Sequence, residues 1–458
     1  MNAALSSRKR WFFRLVLAGL AATFGLAVLE VTARLLGYAP PTSQAPVIPL
    51  ENLHSVPAIR EAQLHGWLHP PLQETAIDTQ GEHPDGTIIA HRNRASFRED
   101  DDTPLAKPSG TIRIVVLGDS HTDGICWNRE SYANQLESLL NSDAERSAEV
   151  DVINAGHSTF SPYQEWWIYE RVVRHFSPDI LIVAFYCGND FWDVCATEGR
   201  VHLVRTDDGF EHSAEIEQPA VSHSPVDGSG DDGSSNPVKR FLRRKLALYH
   251  ALAAIKPLRA TLGNPPVKTD YELRVDALPE SQHAAYWQDY GQAAWFAEFP
   301  DEWDNAVRRM EHVIDLFKDS ADRDHVPVLF LLIPALNEID RSFAAEAFDG
   351  AATTLKLTEV ERECDRRVRL KMSDLLLKAN VPCLDLSAAF RNFVKEYPDQ
   401  PLYYLFDHHI NVAAQTLIAV QLQSFLQTNG YLQVTEDQTP AVRPQRDPEN
   451  GPPGECSL

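Results

Sequence analysis

Apolar and polar positions along this chain alternate between short solid runs and longer broken ones. Five runs are almost wholly apolar: residues 112–117 (IRIVVL), 150–154 (VDVIN), 179–186 (DILIVAFY), 326–333 (VPVLFLLI) and 382–386 (PCLDL). A strand with one face in water alternates, whereas a strand covered on both faces does not, so these read as buried parallel strands. Between them, apolar residues recur at helical spacing over 130–141, 161–176, 302–319 and 358–379, with a closing segment at 411–427. Strand and helix in this order predict an α/β domain of three layers, a central parallel sheet of about five strands with helices on both faces and right-handed crossovers.

One interval, 191–300, breaks the rhythm and reads as an insertion. It holds the loop-like run VDGSGDDGSSNPVKR, a basic helical piece at 238–262, and an aromatic cluster of Tyr286, Trp287, Tyr290, Trp295, Phe296, Phe299 and Trp303. The cluster is expected to form a lid with its own small core; a platform for stacking on sugar faces is the other reading. At the amino terminus Arg8, Lys9 and Arg10 precede an apolar run that carries no charge from 15 to 29. About 20 apolar residues span a bilayer, and basic residues before the span keep the amino terminus in the cytoplasm. Residues 1–37 are therefore expected to be a cytoplasmic stub and single transmembrane anchor in the cell membrane, with the rest extracytoplasmic. A signal peptide cleaved near VTA at 31–33 competes. Residues 38–110 read as linker and N-terminal extension, 111–430 as the main domain, and the Pro-rich 431–458 as a disordered tail.

The formal net charge of -23 argues against a nucleic-acid partner, which needs clustered Lys and Arg. Six cysteines without a C-x-x-C pair argue against a zinc ribbon or thioredoxin-like site. They read as small buried thiols, with one bridge open between Cys187 and either Cys195 or Cys126.

Ligand sites of open α/β sheets form beyond the carboxyl ends of the strands. After the first strand stands Gly118-Asp119-Ser120-His121-Thr122; after the second, Asn154-Ala155-Gly156-His157; after the third, Gly188-Asn189-Asp190; and before the last helix, Asp407-His408-His409. Together these make an acyl-transfer site. Ser120 is the nucleophile, His409 the base, and Asp407 the group that orients the imidazole. The N–H groups of Ser120 and Gly156, with the Asn189 amide, form the oxyanion hole. His408 competes as the base. Asp119 is expected to brace its turn, and His121 and His157 to be structural. Asp190 and Asp193 are read either as solvating a loop or as binding substrate hydroxyls. No cofactor and no metal are expected: adjacent histidines point apart, so Asp407, His408 and His409 make a poor metal shell.

With these blocks in hand, the chain resembles the SGNH (GDSL-type) hydrolase superfamily, particularly its membrane-anchored bacterial members. Ser120 in GDSHT, Gly156 in NAGHSTFSPYQ, Asn189 in GNDFWD and His409 in FDHHIN match its four blocks, and LEVTARLLG and HRNRASFRED match the anchor and pre-domain segment of the anchored type. The resemblance implies a flavodoxin-like three-layer fold and a serine esterase acting on an acyl ester, an acetyl group on an envelope carbohydrate being the instance considered. A polysaccharide O-acetyltransferase and a non-catalytic carbohydrate-binding envelope protein compete. Two departures stand out: Gly188 directly precedes Asn189 where Gly-x-Asn-Asp is common, and Asp407 lies two residues before His409 where Asp-x-x-His is common. Thr122 excludes a G-x-S-x-G elbow. Oligomeric state is left open.

Overall fold

Seven consecutive buried residues make the central strand, Ile180–Tyr186, and seven more its neighbour, Thr111–Leu117, as expected of strands covered on both faces. The computed structural model describes residues 62, 68–142, 148–195, 203–206, 209–212 and 268–432. Its strands are β1 (Glu74–Asp78), β2 (Thr87–His91), β3 (Thr111–Leu117), β4 (Glu149–Asn154), β5 (Ile180–Tyr186), β6 (Leu203–Thr206), β7 (Gly209–His212), β8 (Val328–Ile333) and β9 (Cys383–Asp385). The main sheet is five-stranded and parallel, in the order β4-β3-β5-β8-β9. β1 with β2, and β6 with β7, form separate antiparallel hairpins.

Helices Tyr132–Asn141, Ser387–Glu396 and Val412–Thr428 pack together in one layer, and Pro162–Arg171, Pro300–Asp324 and Cys364–Ala379 in another. The five strands and the five helical segments expected from the sequence are all present, with ends shifted by a few residues. The short helix Ser387–Glu396 and the hairpin of β1 and β2 were not expected.

The strand order places β3 and β5 side by side, while the chain leaves them in opposite directions, toward β4 and toward β8. Such a switch point opens a crevice at the carboxyl ends of the two strands. The loops at 118–124 and 187–193 flank it.

The anchor expected at 1–37, the linker to 60, the piece at 238–262 and the tail beyond 432 lie outside the described residues. Among the described residues no helix is long and apolar enough to cross a membrane. The aromatic cluster differs from the expected lid with a separate core. Tyr286, Tyr290, Phe296 and Trp303 are buried in the same cluster that contains the strands of the sheet. Cys126, Cys187 and Cys195 are free thiols, so the bridge left open among them is not formed.

Candidate active site

The turn after β3 is built for close approach. A Cβ on Gly118 would lie 2.0 Å from Thr122 Oγ1, and one on Gly156 would lie 2.5 Å from Asp123 N. Both positions therefore need glycine for packing against the one-turn helix Ser120–Asp123. Asp119 caps this helix: its carboxylate accepts the His121 N–H at 2.9 Å. The helix raises Ser120, half-buried, at its first position, where the backbone N–H has no acceptor within the helix.

Ser120 Oγ lies 2.8 Å from His409 Nε2. On the far edge of the ring, His409 Nδ1 lies 3.1 Å from Asp407 Oδ2, at ion-pair distance but without the alignment of a full hydrogen bond. Asp407 Oδ1 also accepts the His409 N–H at 3.0 Å, so the two-residue spacing closes a tight turn. Burial alone would lower the His409 pKa. Asp407 beside it, with Asp119 and Asp123 farther off, outweighs burial and holds it above the ordinary value.

The neighbouring histidines have different roles. His408 takes a left-handed backbone, φ 61°, and its ring is buried. Its Nδ1 meets Asp289 Oδ2 at 2.7 Å, and Asp289 Oδ1 accepts the Asn337 N–H at 3.0 Å. This arrangement places His409, not His408, against the serine. His121 is fully buried, stacked on Tyr186 with centroids 3.6 Å apart and on His409 at 4.6 Å. Its Nδ1 faces the Ile410 N–H at 3.5 Å, which leaves Nε2 as the protonated nitrogen, donating to Gln288 Oε1 at 3.1 Å. Burial, with His409 adding to it, pushes the His121 pKa well down, so the ring is neutral. His157 is buried between His69 and Phe160 and is neutral for the same first reason.

The expected oxyanion donors divide. Asn189 sits in the loop after β5 with its amide nitrogen making no hydrogen bond among the described residues and its Oδ1 buried without a partner. The Gly156 N–H does not face the crevice as expected: it donates to Asn154 Oδ1 at 3.0 Å. Asp190 is neither a solvated loop residue nor free for substrate. It is buried, and its Oδ2 accepts the Tyr186 N–H at 2.6 Å. Burial, with repulsion from Asp119 after it, pushes Asp190 and Glu165 well above the carboxylate range, and burial brings Asp119 up to about 6 and Asp193 up to about 7. Among the described residues, no group of three or more metal-ligating side chains is placed to hold an ion.

Two supports of the site were not foreseen. One is the insertion: Gly188 directly precedes Asn189 because a Cβ there would lie 2.0 Å from Gln288 O, so the insertion's backbone seats against the loop after β5. The other is the N-terminal extension. Arg92 Nη2 lies 2.7 Å from both carboxylate oxygens of Asp123, and Arg98 binds the carbonyl oxygens of Asp123 and Gly124. Burial would raise the Asp123 carboxyl, but Arg92 and Arg98 outweigh it and hold it well below the usual range. Only HRNRASFRED hinted at this clamp.

No protein-family model matches the chain, and no curated protein does. Among solved structures it is similar to the acetyl xylan esterase AlAXEase, at 13% identity over 69% of this chain and 100% of that one, with a TM-score of 0.33. It is also similar to LAE5, described as an alpha/beta hydrolase enzyme from the metagenome of Lake Arreo, at 15% identity over 70% and 97%, with a TM-score of 0.32. A catalytic mutant of Axe2, an acetylxylan esterase from Geobacillus stearothermophilus, matches at 12% identity over 71% and 97%, with a TM-score of 0.34. Likeness at this level assigns neither activity nor substrate.

Proposed function

We propose that this chain is an acyl-ester hydrolase acting through Ser120, His409 and Asp407. The observation that carries the reading is the 2.8 Å contact of Ser120 Oγ with His409 Nε2, with Asp407 3.1 Å from the opposite ring nitrogen. Ser120 Oγ attacks the ester carbonyl as its proton passes to His409 Nε2, and Asp407 stabilises the imidazolium. The oxyanion is met by the Ser120 N–H and the Asn189 amide, while Gly156 serves by letting the strand loop approach the serine helix. The imidazolium then protonates the departing alcohol. Water, deprotonated by His409, attacks the acyl-serine and releases the acid.

A small acyl group on a carbohydrate alcohol is the proposed substrate. Trp287 supports it: its side chain, 54% exposed, lies one residue from Gln288, which touches the histidine layer, and it stacks parallel to Trp192. An exposed indole offers a flat apolar face to a sugar ring. The proposal places residues 1–37 in the cell membrane and the hydrolase domain outside it.

The test treats the chain with a fluorophosphonate and locates the adduct by peptide mass spectrometry, then follows release of acetate from an acetylated oligosaccharide. Labelling at Ser120, lost in Ser120→Ala and His409→Ala, is expected, together with a kcat drop of about 10²–10³ in Asn189→Ala, the usual effect of one lost oxyanion donor. A folded protein that neither labels nor releases acetate, yet binds the glycan, is a binding protein and ends the esterase reading. Acetyl appearing on an added sugar faster than in water makes it a transferase.

A further inference from the structure

We propose that Gln288, carried by the insertion, is a positioning residue for the base: it acts through His121 to hold the ring plane of His409. The proposal rests on the reading of Ser120 and His409 as nucleophile and base.

The His409 ring is held at its edges by Ser120 and, less tightly, by Asp407. With the Asp407 contact lacking hydrogen-bond alignment, the ring keeps freedom to turn about its Cβ–Cγ bond, and a contact on the ring face resists that turning. That contact is His121, stacked at 4.6 Å and 29°. His121 is itself fixed on all sides: Tyr186 covers its other face, the Ile410 N–H meets Nδ1, and Gln288 Oε1 meets Nε2. Of these partners only Gln288 comes from the insertion, 167 residues along the chain. Its own backbone is anchored, since Gln288 O accepts the Tyr186 hydroxyl at 3.1 Å and sits where a Gly188 Cβ would be. Residues 286–290 form a π-helical turn, a feature that inserts a residue and often marks functional sites. The same turn sends Asp289 to His408.

An amide oxygen suits this role. It accepts the His121 proton without drawing a second one onto the ring, so the face presented to His409 stays uncharged when His409 becomes a cation. The charged and titratable groups facing His409 are then Asp407, Asp119, Asp123 and the neutral His121. His121 faces Gln288, Tyr186 and His409.

The experiment is a double-mutant cycle in the full chain, with Gln288→Leu, His121→Phe and both, and with Gln288→Met as a second side chain that keeps length without the acceptor. The readouts are kcat and KM for an acetyl ester, the rate of fluorophosphonate labelling, the thermal midpoint, and the histidine ring nitrogens by NMR. Gln288→Leu and Gln288→Met are each expected to lower kcat and labelling about 10-fold with KM within about twofold. In the His121→Phe background Gln288→Leu is expected to add less than about twofold, because its effect passes through His121. An equal cost in both backgrounds, or unchanged kcat in a folded Gln288→Leu protein, overturns the proposal. If the wild type neither labels nor turns over, the catalytic reading fails. The NMR then decides the positioning separately: a shifted His409 titration in Gln288→Leu upholds it, and an unmoved one refutes it.

Discussion

On the proposed chemistry His409 takes the Ser120 proton only while its own ring is neutral. Asp407, Asp119 and Asp123 together hold its pKa above the ordinary value against burial, so the acid limb of kcat/KM belongs above about pH 6.5. Activity is full at higher pH and lost as pH falls through the raised value. Asp407→Asn removes the largest attraction, so the limb moves to lower pH while kcat falls by about 10⁴, the cost of losing the orienting carboxylate. A pH–rate profile of the two proteins checks both effects; a limb that stays in place in Asp407→Asn detaches Asp407 from the base. His121 explains why a second histidine can sit 4.6 Å away. Two cations at that distance repel by about 3–4 kcal/mol at an effective dielectric near 20, and His121 avoids this by remaining neutral.

The element that carries Ser120 is a single turn, too short to hold itself. Its last residue, Asp123, is tied to Arg92 and Arg98, both buried, from the extension. Removing one partner of a buried ion pair strands the other charge, at about 3–5 kcal/mol. Asp123→Asn is therefore expected to lose that much stability at neutral pH by urea denaturation; a loss under about 1 kcal/mol shows that the arginines find other partners. Because the folded-state pKa of Asp123 is depressed, the stabilisation is complete above the ordinary carboxylate pKa and fades as pH falls through the lower folded value. The inner strands β3, β5 and β8 were legible because doubly covered strands write themselves as nearly unbroken apolar runs, whereas the edge strands β4 and β9 carry Asp151 and Asp385 within shorter ones. Ser120, Asn189 and His409 were legible as positions at strand and loop ends. The hairpin of β1 and β2 was not: β1 has four of five residues exposed, so no apolar pattern marks it. The roles of Gln288 and Asp289 were illegible too, because their partners lie 167 and 119 residues away and nothing in a helical aromatic segment signals them.

At the scale of the whole molecule, the question is whether the insertion is an appendage or part of the body. An appendage would have its own core and could open independently of the sheet. Instead Tyr290, Ala293 and Phe296 belong to the buried cluster of the sheet, and Gln292 donates to Cys187 O and Asp365. The joint is also tight, since Gly188 leaves no room for even a methyl group beside Gln288 O. Residues 268–300 should therefore unfold with the sheet in one step. Four of the nine tryptophans, Trp192, Trp287, Trp295 and Trp303, lie within or beside the insertion, so indole fluorescence weights it, while far-UV circular dichroism weights the layers of the body. The two signals are expected to trace one urea transition, the test of two-state behaviour. Gly188→Ala should move both curves to lower urea together, because the added methyl forces the insertion and the loop after β5 apart at their shared contact. Two separate transitions, or a Gly188→Ala shift confined to fluorescence, would mean that the insertion folds on its own and that Gln288 reaches His121 only when it docks.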